Sequence, residues 1–249
     1  MEEKRKKPRS VFPEQMQILS GSGLKVLACL TMLIDHFGSI ILSKCAWAQR
    51  PLFTFMGKDV GWYRISRDIG RMAFPIFCFL LAEGFLHTHN RLKYGRNLFL
   101  FALISEIPWD IWHYQKLFSM EKQNVFFTLF LGYLGFCAIE YFADKELLQL
   151  GCLLALLSVA YRLKADYGWK GYIFLLIMYC LRYYKAAQAV VGSCWLVYEW
   201  KACVAFIPIN LYNGERGFIR GKAAKYFFYA YYPLHILVLL LVRKQYLGI

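Results

Sequence analysis

Long apolar runs separated by short polar segments dominate the chain. A helix needs about 20 predominantly apolar residues to cross a hydrocarbon core. Because unpaired backbone amides are too costly in lipid, each such run is predicted to be an α-helix. The predicted spans are residues 24–42, 72–88, 97–115, 125–143, 147–162, 169–184 and 225–242.

A further apolar stretch, 186–212, is interrupted halfway by Glu199 and Lys201 on either side of Trp200. The stretch is either one broken span or two short ones. Each half would have about 12 residues, or roughly 18 Å of helix at 1.5 Å per residue. That length is short for a full crossing, so the pattern alone leaves both choices open.

Basic segments lie between the apolar runs and help to orient them. They are "EEKRKKPR" near the start, "HTHNRLKYGR" at 87–96, "RYYK" at 182–185 and "NGERGFIRGKAAK" at 213–225. The positive-inside rule assigns such segments to the cytoplasm. All four can lie there only if 186–212 crosses twice, which favours nine spans, with the start inside and the end outside, over eight.

The composition agrees with this reading. Hydrophobic residues make up 59% of the 249 residues, against roughly 45–50% in ordinary soluble domains. The formal net charge of +14 is divided among short clusters, a pattern typical of cytoplasmic loops and phospholipid contacts rather than of nucleic-acid binding. We expect an all-α, polytopic transmembrane helix bundle: a basic cytoplasmic segment, 1–20, without a removable signal peptide, and one integral-membrane domain, 21–249.

The eight cysteines include no C-x-x-C pair and lie mostly inside apolar runs. This placement is typical of small buried hydrophobic side chains. The sequence therefore predicts neither a disulfide framework nor a metal site.

Ionisable residues inside the predicted spans are the main candidates for chemistry. Each costs at least about 2.5–3.5 kcal/mol on insertion scales, so each needs a reason to be there. In "LTMLIDHFGSI" (30–40), Asp35 and His36 are adjacent. Asp35 lies on a helical face with His36 at its edge. The other members of that face are Lys25, Ala28, Met32 and Ser39.

Two other runs carry similar polar groups. Glu106, Asp110 and His113 follow one another at i, i+4 and i+7, so they can bind a cation, relay protons or orient a base, or cap the helix at the interface. In the last run, Tyr231 and His235 are one turn apart. Two intramembrane histidines, His36 and His235, suggest a shared function. Pro75, Pro108 and Pro233 mark candidate cavity walls.

Seven segments of the chain, which occur in the same order as in the family, closely resemble the TraX family of bacterial integral-membrane proteins. They are "LKVLACLTMLIDHFG" (24–38), "IGRMAFPIFCFLLAEGFLHT" (69–88), "LFALISEIPWD" (100–110), "NVFFTLFLG" (124–132), "DYGWKG" (166–171), "LYNGERG" (211–217) and "FFYAYYPLHIL" (227–237). The resemblance implies acetylation of the N-terminal amine of a conjugative pilin. It also implies a relation to transmembrane acyltransferases that use cytosolic acetyl-CoA.

Acetyl transfer needs a base near the nucleophile, donors for the oxyanion and cations for the CoA phosphates. With that chemistry implied, His36 is the expected base, and Asp35, Glu106 and His235 complete the catalytic set. Neighbouring helical residues diverge by about 100°, so helix geometry does not ensure an Asp35–His36 hydrogen bond, and Glu106, Asp110 or His235 from another helix could orient His36 instead. Asp35 either fixes the tautomer of His36 or binds a cationic acceptor.

The same resemblance suggests two further sets of residues. Candidate contacts to acetyl-CoA are Arg71, Arg96, Tyr212, Asn213, Arg216 and Lys222; candidate acceptor contacts are Arg67, Glu83, Asp110 and Tyr232. Arg71 falls at the outer end of its span, so either it serves the acceptor or the topology differs. Arginines that only snorkel to the interface are the structural alternative for this segment.

Several alternatives stay open at this point. Direct transfer and an acetyl-histidine intermediate at His36 use the same residue. Asp35, His36, Glu106 and His235 could instead form the relay of a proton-coupled transporter, although no internal repeat supports one. Buried polar residues could also hold together a non-catalytic scaffold. We expect multi-pass insertion in the bacterial cytoplasmic membrane, contacts with lipids and no nucleic acid. The acceptor and the oligomeric state, homo-oligomers included, remain open.

Overall fold

The computed structural model describes residues 10–248 and is nearly all-helical. Residues 1–9, which hold most of the predicted basic segment, lie outside the described part. The α-helices are α1 (Gly21–Ile40), α2 (Ala46–Gln49), α3 (Trp62–Gly70), α4 (Ala73–His87), α5 (Arg91–Tyr114), α6 (Val125–Tyr141), α7 (Glu146–Leu163), α8 (Gly168–Cys180), α9 (Lys185–Trp195), α10 (Phe206–Asn210) and α11 (Lys222–Leu247). Short 3-10 helices cover Glu14–Met16, Leu42–Lys44 and Val197–Ala205.

Each of the seven predicted apolar runs is helical, with ends that differ by a few residues. The 87–96 segment differs most from its prediction as a loop, because α5 already begins at Arg91 after an Asn90 cap that accepts from the Lys93 amide. Arg96 therefore lies on a helix and is exposed. The 186–212 stretch is broken: α9 ends at Trp195, and Glu199 has non-helical backbone angles before the chain continues to α10.

A small antiparallel hairpin, absent from the all-α expectation, follows α2. Its strands are β1 (Phe53–Phe55) and β2 (Lys58–Val60), with Thr54 opposite Asp59. Met56 and Gly57 both have positive φ at the tip, which is the backbone that a two-residue hairpin turn demands. The alternation of "FTFMGKDV" around Gly57 is the signal for it in the sequence.

Helices α1 and α11 run parallel and side by side. Contacts follow in the same order along both: the Lys25 ammonium lies 5.8 Å from the ring centre of Phe228, and the Tyr231 hydroxyl donates to the Cys29 carbonyl at 3.1 Å. His36 then meets His235. We call the end of the bundle near Lys25 the basic end, and the opposite end, which carries the β1–β2 hairpin and α3, the hairpin end.

The 185–212 segment returns to the end where it began. The Lys185 ammonium at the start of α9 donates to the carbonyl of Tyr212 at 3.0 Å, and Leu19 and Tyr212 form a backbone bridge beside the start of α1. Because both ends of the segment are bonded at the same end of the bundle, the chain enters the bundle through α9, turns near Glu199 and comes back through α10.

Within residues 10–248, four helical segments are long and apolar enough to cross a membrane, as judged from length and composition: Gly21–Lys44, Trp62–His87, Glu146–Leu163 and Lys222–Leu247. Shorter apolar helices are Val125–Tyr141 and Gly168–Cys180. Helix α7 packs against α6 and α8 and buries only Ala160, leaving large apolar side chains such as Leu147 exposed. In water that surface would be unfavourable, whereas lipid accommodates it.

Candidate functional site

Two buried histidines from distant parts of the chain meet between α1 and α11. His36 and His235 are each 7% exposed. The Nδ1 atom of His36 lies 2.6 Å from the Nε2 atom of His235, and the two ring planes are within 9° of each other, with centres 4.8 Å apart, so the rings meet edge to edge. The parallel packing of the helices produces this contact, because each histidine lies about four turns from the start of its helix.

The hydrogen bonds of the pair determine which nitrogen carries each proton. The Nδ1 atom of His235 is 2.6 Å from the carbonyl oxygen of Tyr231, and a carbonyl can only accept. With both imidazoles neutral, Nδ1 of His235 carries its proton and Nε2 of His235 accepts. His36 must then donate from Nδ1, so Nε2 of His36 keeps its lone pair. No side chain or backbone group within residues 10–248 bonds to that nitrogen.

Aromatic rings hold the pair in place. Trp112 of α5 and Tyr232 of α11 meet the His36 ring edge-on, with centres 5.0 and 5.8 Å away. Tyr231 stacks on His235 at 4.9 Å while its hydroxyl is bonded to the Cys29 carbonyl of α1. These contacts restrict the rotation of both imidazoles, as a positioned base requires.

Asp35 points away from His36 and pairs with α3. Its Oδ2 accepts from the Arg67 guanidinium at 2.6 Å, and the same nitrogen also reaches the Asp35 carbonyl at 3.3 Å. A side chain at Gly70 would overlap the Asp35 carboxylate, so this glycine allows the close approach of α3. Asp35 therefore does not fix the tautomer of His36. Its Oδ1 is buried without a hydrogen bond.

Further ion pairs continue this layer at the hairpin end. Arg71, at the start of α4, pairs with Glu199 at 3.1 Å, at the kink of the returning segment. Lys201 pairs with Asp68, and Lys122 pairs with Asp166 at 2.8 Å.

Arg71 thus lies far from Arg216 and Lys222, two of the other predicted CoA contacts. It lies beside Asp35, near the predicted acceptor contact Arg67.

Glu106, Asp110 and His113 share α5 but make separate bonds. Glu106 Oε1 accepts from the backbone amide of Asn124 at 2.7 Å and from its side-chain amide, which fixes the start of α6. Asp110 accepts from the Ser119 amide at 2.7 Å, and His113 Nδ1 donates to the Trp109 carbonyl at 3.0 Å. None of the three bonds to His36, so the structure gives them anchoring contacts.

The remaining predicted residues divide between the two ends. Tyr232 is buried beside His36. Glu83 lies at the basic end, one turn before His87, with carboxylate and imidazole 3.5 Å apart. Tyr212 and Asn213 belong to the same end, where the Asn213 amide donates to the Leu19 carbonyl at 2.9 Å. The predicted acceptor contacts thus do not form one site.

Two residues that define this region carry little signal in the sequence. Trp112 lies in the apolar run of α5, where an aromatic residue is ordinary, yet its ring packs edge-on against His36. In the sequence, Glu199 shows only as an interruption of an apolar stretch. An acid that interrupts a buried segment needs a cation, and Arg71, at the start of an apolar run, was an available partner.

The apolar surface, the helical bundle and the buried imidazole pair define a membrane protein with transmembrane helices. The chain belongs to the TraX family: the family's sequence model, described as TraX protein, matches residues 20–243. A curated relative, the probable fimbrial assembly protein FimC of serogroup H1 from Dichelobacter nodosus, is 28% identical over 246 residues, covering 87% of this chain and 92% of that protein. No solved structure matches the chain.

Proposed function

We propose that the protein is an acetyltransferase of the bacterial cytoplasmic membrane in which Nε2 of His36 acts as general base. The acetyl group comes from cytosolic acetyl-CoA and goes to an amine or hydroxyl acceptor. One observation carries the proposal: a hydrogen-bonded chain runs from the Tyr231 carbonyl through His235 to His36. With both imidazoles neutral, this chain leaves a lone pair on Nε2 of His36. Such a nitrogen, held by aromatic walls in a buried site, is suited to accept a proton.

The orientation follows from the charges. Arg216, Lys222 and Lys225 belong to the basic end, so the positive-inside rule puts this end in the cytoplasm. The segment 185–212 then enters from the cytoplasm and returns to it, as the nine-segment path requires. Helix α11 ends on the opposite side from the start of α1. Acetyl-CoA reaches the basic end, and the acceptor approaches from the hairpin end.

In the reaction, the acceptor nitrogen or oxygen attacks the acetyl carbonyl while Nε2 of His36 takes its proton. The new C–N or C–O bond replaces the thioester C–S bond, and the CoA sulfur leaves with the proton from His36. His235 stabilises the transient imidazolium because its Nε2 accepts from Nδ1 of His36. An acetyl-histidine intermediate would form at the same Nε2.

The acceptor class draws support from the name of the relative, which is a fimbrial assembly protein. A pilus subunit with a free N-terminal amine is therefore the first acceptor to try. Sugars and small amines of the cell envelope are the next.

A proton relay is the weaker candidate. It would need Asp35, His36, Glu106 and His235 to connect, but Asp35 is bonded to Arg67 and Glu106 to Asn124. Only the two histidines touch.

The test is acetyl transfer by protein in lipid nanodiscs, with labelled acetyl-CoA and a pilin N-terminal peptide. His36→Ala should lower the rate about 10²–10⁴-fold, the usual contribution of a general base. His89→Ala removes an exposed histidine and serves as the matched control. Equal rates for His36→Ala and wild type, or proton flux in liposomes with no acetyl transfer to any acceptor, would contradict the proposal.

A further inference from the structure

Three cations converge at the basic end. They come from different elements: Lys25 from α1, Arg216 from the loop before α11, and Lys225 from α11. Lys25 is half-buried and lies within electrostatic range of the other two. Its ammonium rests against the ring of Phe228. Like charges that approach one another near a lipid boundary destabilise the protein unless something compensates them.

Within residues 10–248, no carboxylate compensates these three cations. The ion pairs of that part of the chain include none of the three cations. Glu83, an acid at the same end, faces His87 and Tyr212, and Glu215 is exposed. Three uncompensated cations from separate elements are the arrangement expected of an anion site.

The loop that carries Arg216 is fixed to the start of α1. The Ser22 hydroxyl donates to the Arg216 carbonyl at 2.7 Å and accepts from the Ile219 amide at 2.8 Å, and the Gly21 amide donates to the Glu215 carbonyl at 2.8 Å. Gly217 has φ +82°, and a Cβ there would overlap Ser20 and Ser22. Arg216 is thus attached to a pre-ordered backbone, which lowers the entropy cost of binding.

We propose that Lys25, Arg216 and Lys225 form a phosphate-binding site. Arg216 supplies the planar donor fork that suits phosphate oxygens, and the two lysines supply compact charges. The inference rests on the proposed function for its ligand: the phosphates of acetyl-CoA. Neither Lys25 nor Lys225 was among the residues that the sequence assigned to CoA.

The spacing along α1 connects this site to His36. Lys25, Cys29, Met32 and His36 follow at i, i+4, i+7 and i+11, on one stripe of the helix, and three of them contact α11. Eleven residues rise roughly 16 Å. A donor whose phosphates lie at Lys25 can therefore place its thioester at His36 through its long arm.

The test measures binding of labelled coenzyme A, which carries no acetyl group, so that transfer is not needed. Wild type, Lys25→Met, Arg216→Ala and Lys225→Met are compared in phosphatidylcholine nanodiscs. Lys25→Met, Arg216→Ala and Lys225→Met should each raise Kd roughly tenfold, since each variant loses one charged hydrogen bond. Lys93→Ala, an exposed cation of α5, is the matched control and should change Kd by less than about twofold.

A second arm identifies the source of the phosphate. The same proteins are placed in nanodiscs containing phosphatidylglycerol, and retained lipid is counted by native mass spectrometry. If Lys25→Met and Arg216→Ala lose phosphatidylglycerol but wild type binds no coenzyme A, the phosphate site stands and the acetyl-CoA donor fails. If wild type binds coenzyme A and all three variants bind it equally, or if wild type binds neither coenzyme A nor phosphatidylglycerol, the phosphate site is wrong.

Discussion

The cations beside Asp35 and those near the start of α1 differ in their partners. At the hairpin end, Arg67, Arg71 and Lys201 each meet a carboxylate, so the layer beside His36 is internally neutralised. At the basic end, Lys25 and Lys225 have no such partner in the described structure. Composition counts all cations alike, but their partners give them different functions. Paired cations connect helices, whereas unpaired cations are available to an external anion.

The histidine pair lies between these ends and depends on both. The Asp35–Arg67 pair fixes α3 against α1 one residue before His36, and α11 carries His235 up from the basic end. We therefore expect substitutions at the hairpin end to act first on stability, and substitutions at the basic end to act first on ligand binding.

Arg67→Ala should have the largest effect on stability. Removing it leaves the Asp35 carboxylate with both oxygens unpaired in a half-buried site. Breaking a fully buried pair costs about 3–5 kcal/mol, and partial exposure of this one reduces the expected loss to about 2–3 kcal/mol. Unfolding in detergent, followed by circular dichroism, measures it. Arg96→Ala, an exposed cation on α5, is the control and should change stability by less than about 0.5 kcal/mol. Equal stabilities for the two variants would remove the distinction between the ends.

Much of this fold could be read from the sequence, since apolar runs of sufficient length leave helices as the only choice. The partners of the polar residues could not. Asp35 and His36 are adjacent, yet their 100° divergence sends one to α3 and the other to α11. The His36–His235 pair joins positions 199 residues apart, and only the parallel packing of α1 and α11 makes it. The spacing of Glu106 placed it on a polar face that suggested reactivity. In the structure it accepts from the two amides of Asn124 and so fixes the start of α6.

Gly70→Ala tests the close contact at the hairpin end. The new methyl group would overlap the Asp35 side chain, and overpacking of this kind typically costs about 1–3 kcal/mol. Gly151→Ala in α7 is the matched control, because a Cβ there meets nothing within 4 Å. In a helix interior that control should be neutral or stabilising by up to about 1 kcal/mol. Thermal unfolding of the two variants side by side checks the contrast, and a neutral Gly70→Ala would show that α1 and α3 are farther apart than described.

Lys25→Met should have the smallest effect on stability. No ion pair is lost, and a half-buried charge becomes apolar, so we expect a change between zero and a gain of about 1 kcal/mol. The measurement is the same unfolding experiment without ligand. A loss as large as that of Arg67→Ala would mean that Lys25 has a structural partner, and the two ends would then no longer differ.

Chemical rescue is the sharpest check on the proposed proton transfer by Nε2 of His36. Acetyl transfer by His36→Ala is measured with and without added imidazole, which can occupy the space left by the ring. Arg67→Ala is measured in parallel as the control, because its loss of activity would come from lower stability and not from a missing imidazole. We expect imidazole to restore part of the lost rate in His36→Ala and none in Arg67→Ala. Full activity of His36→Ala without imidazole would contradict the proposed role of His36.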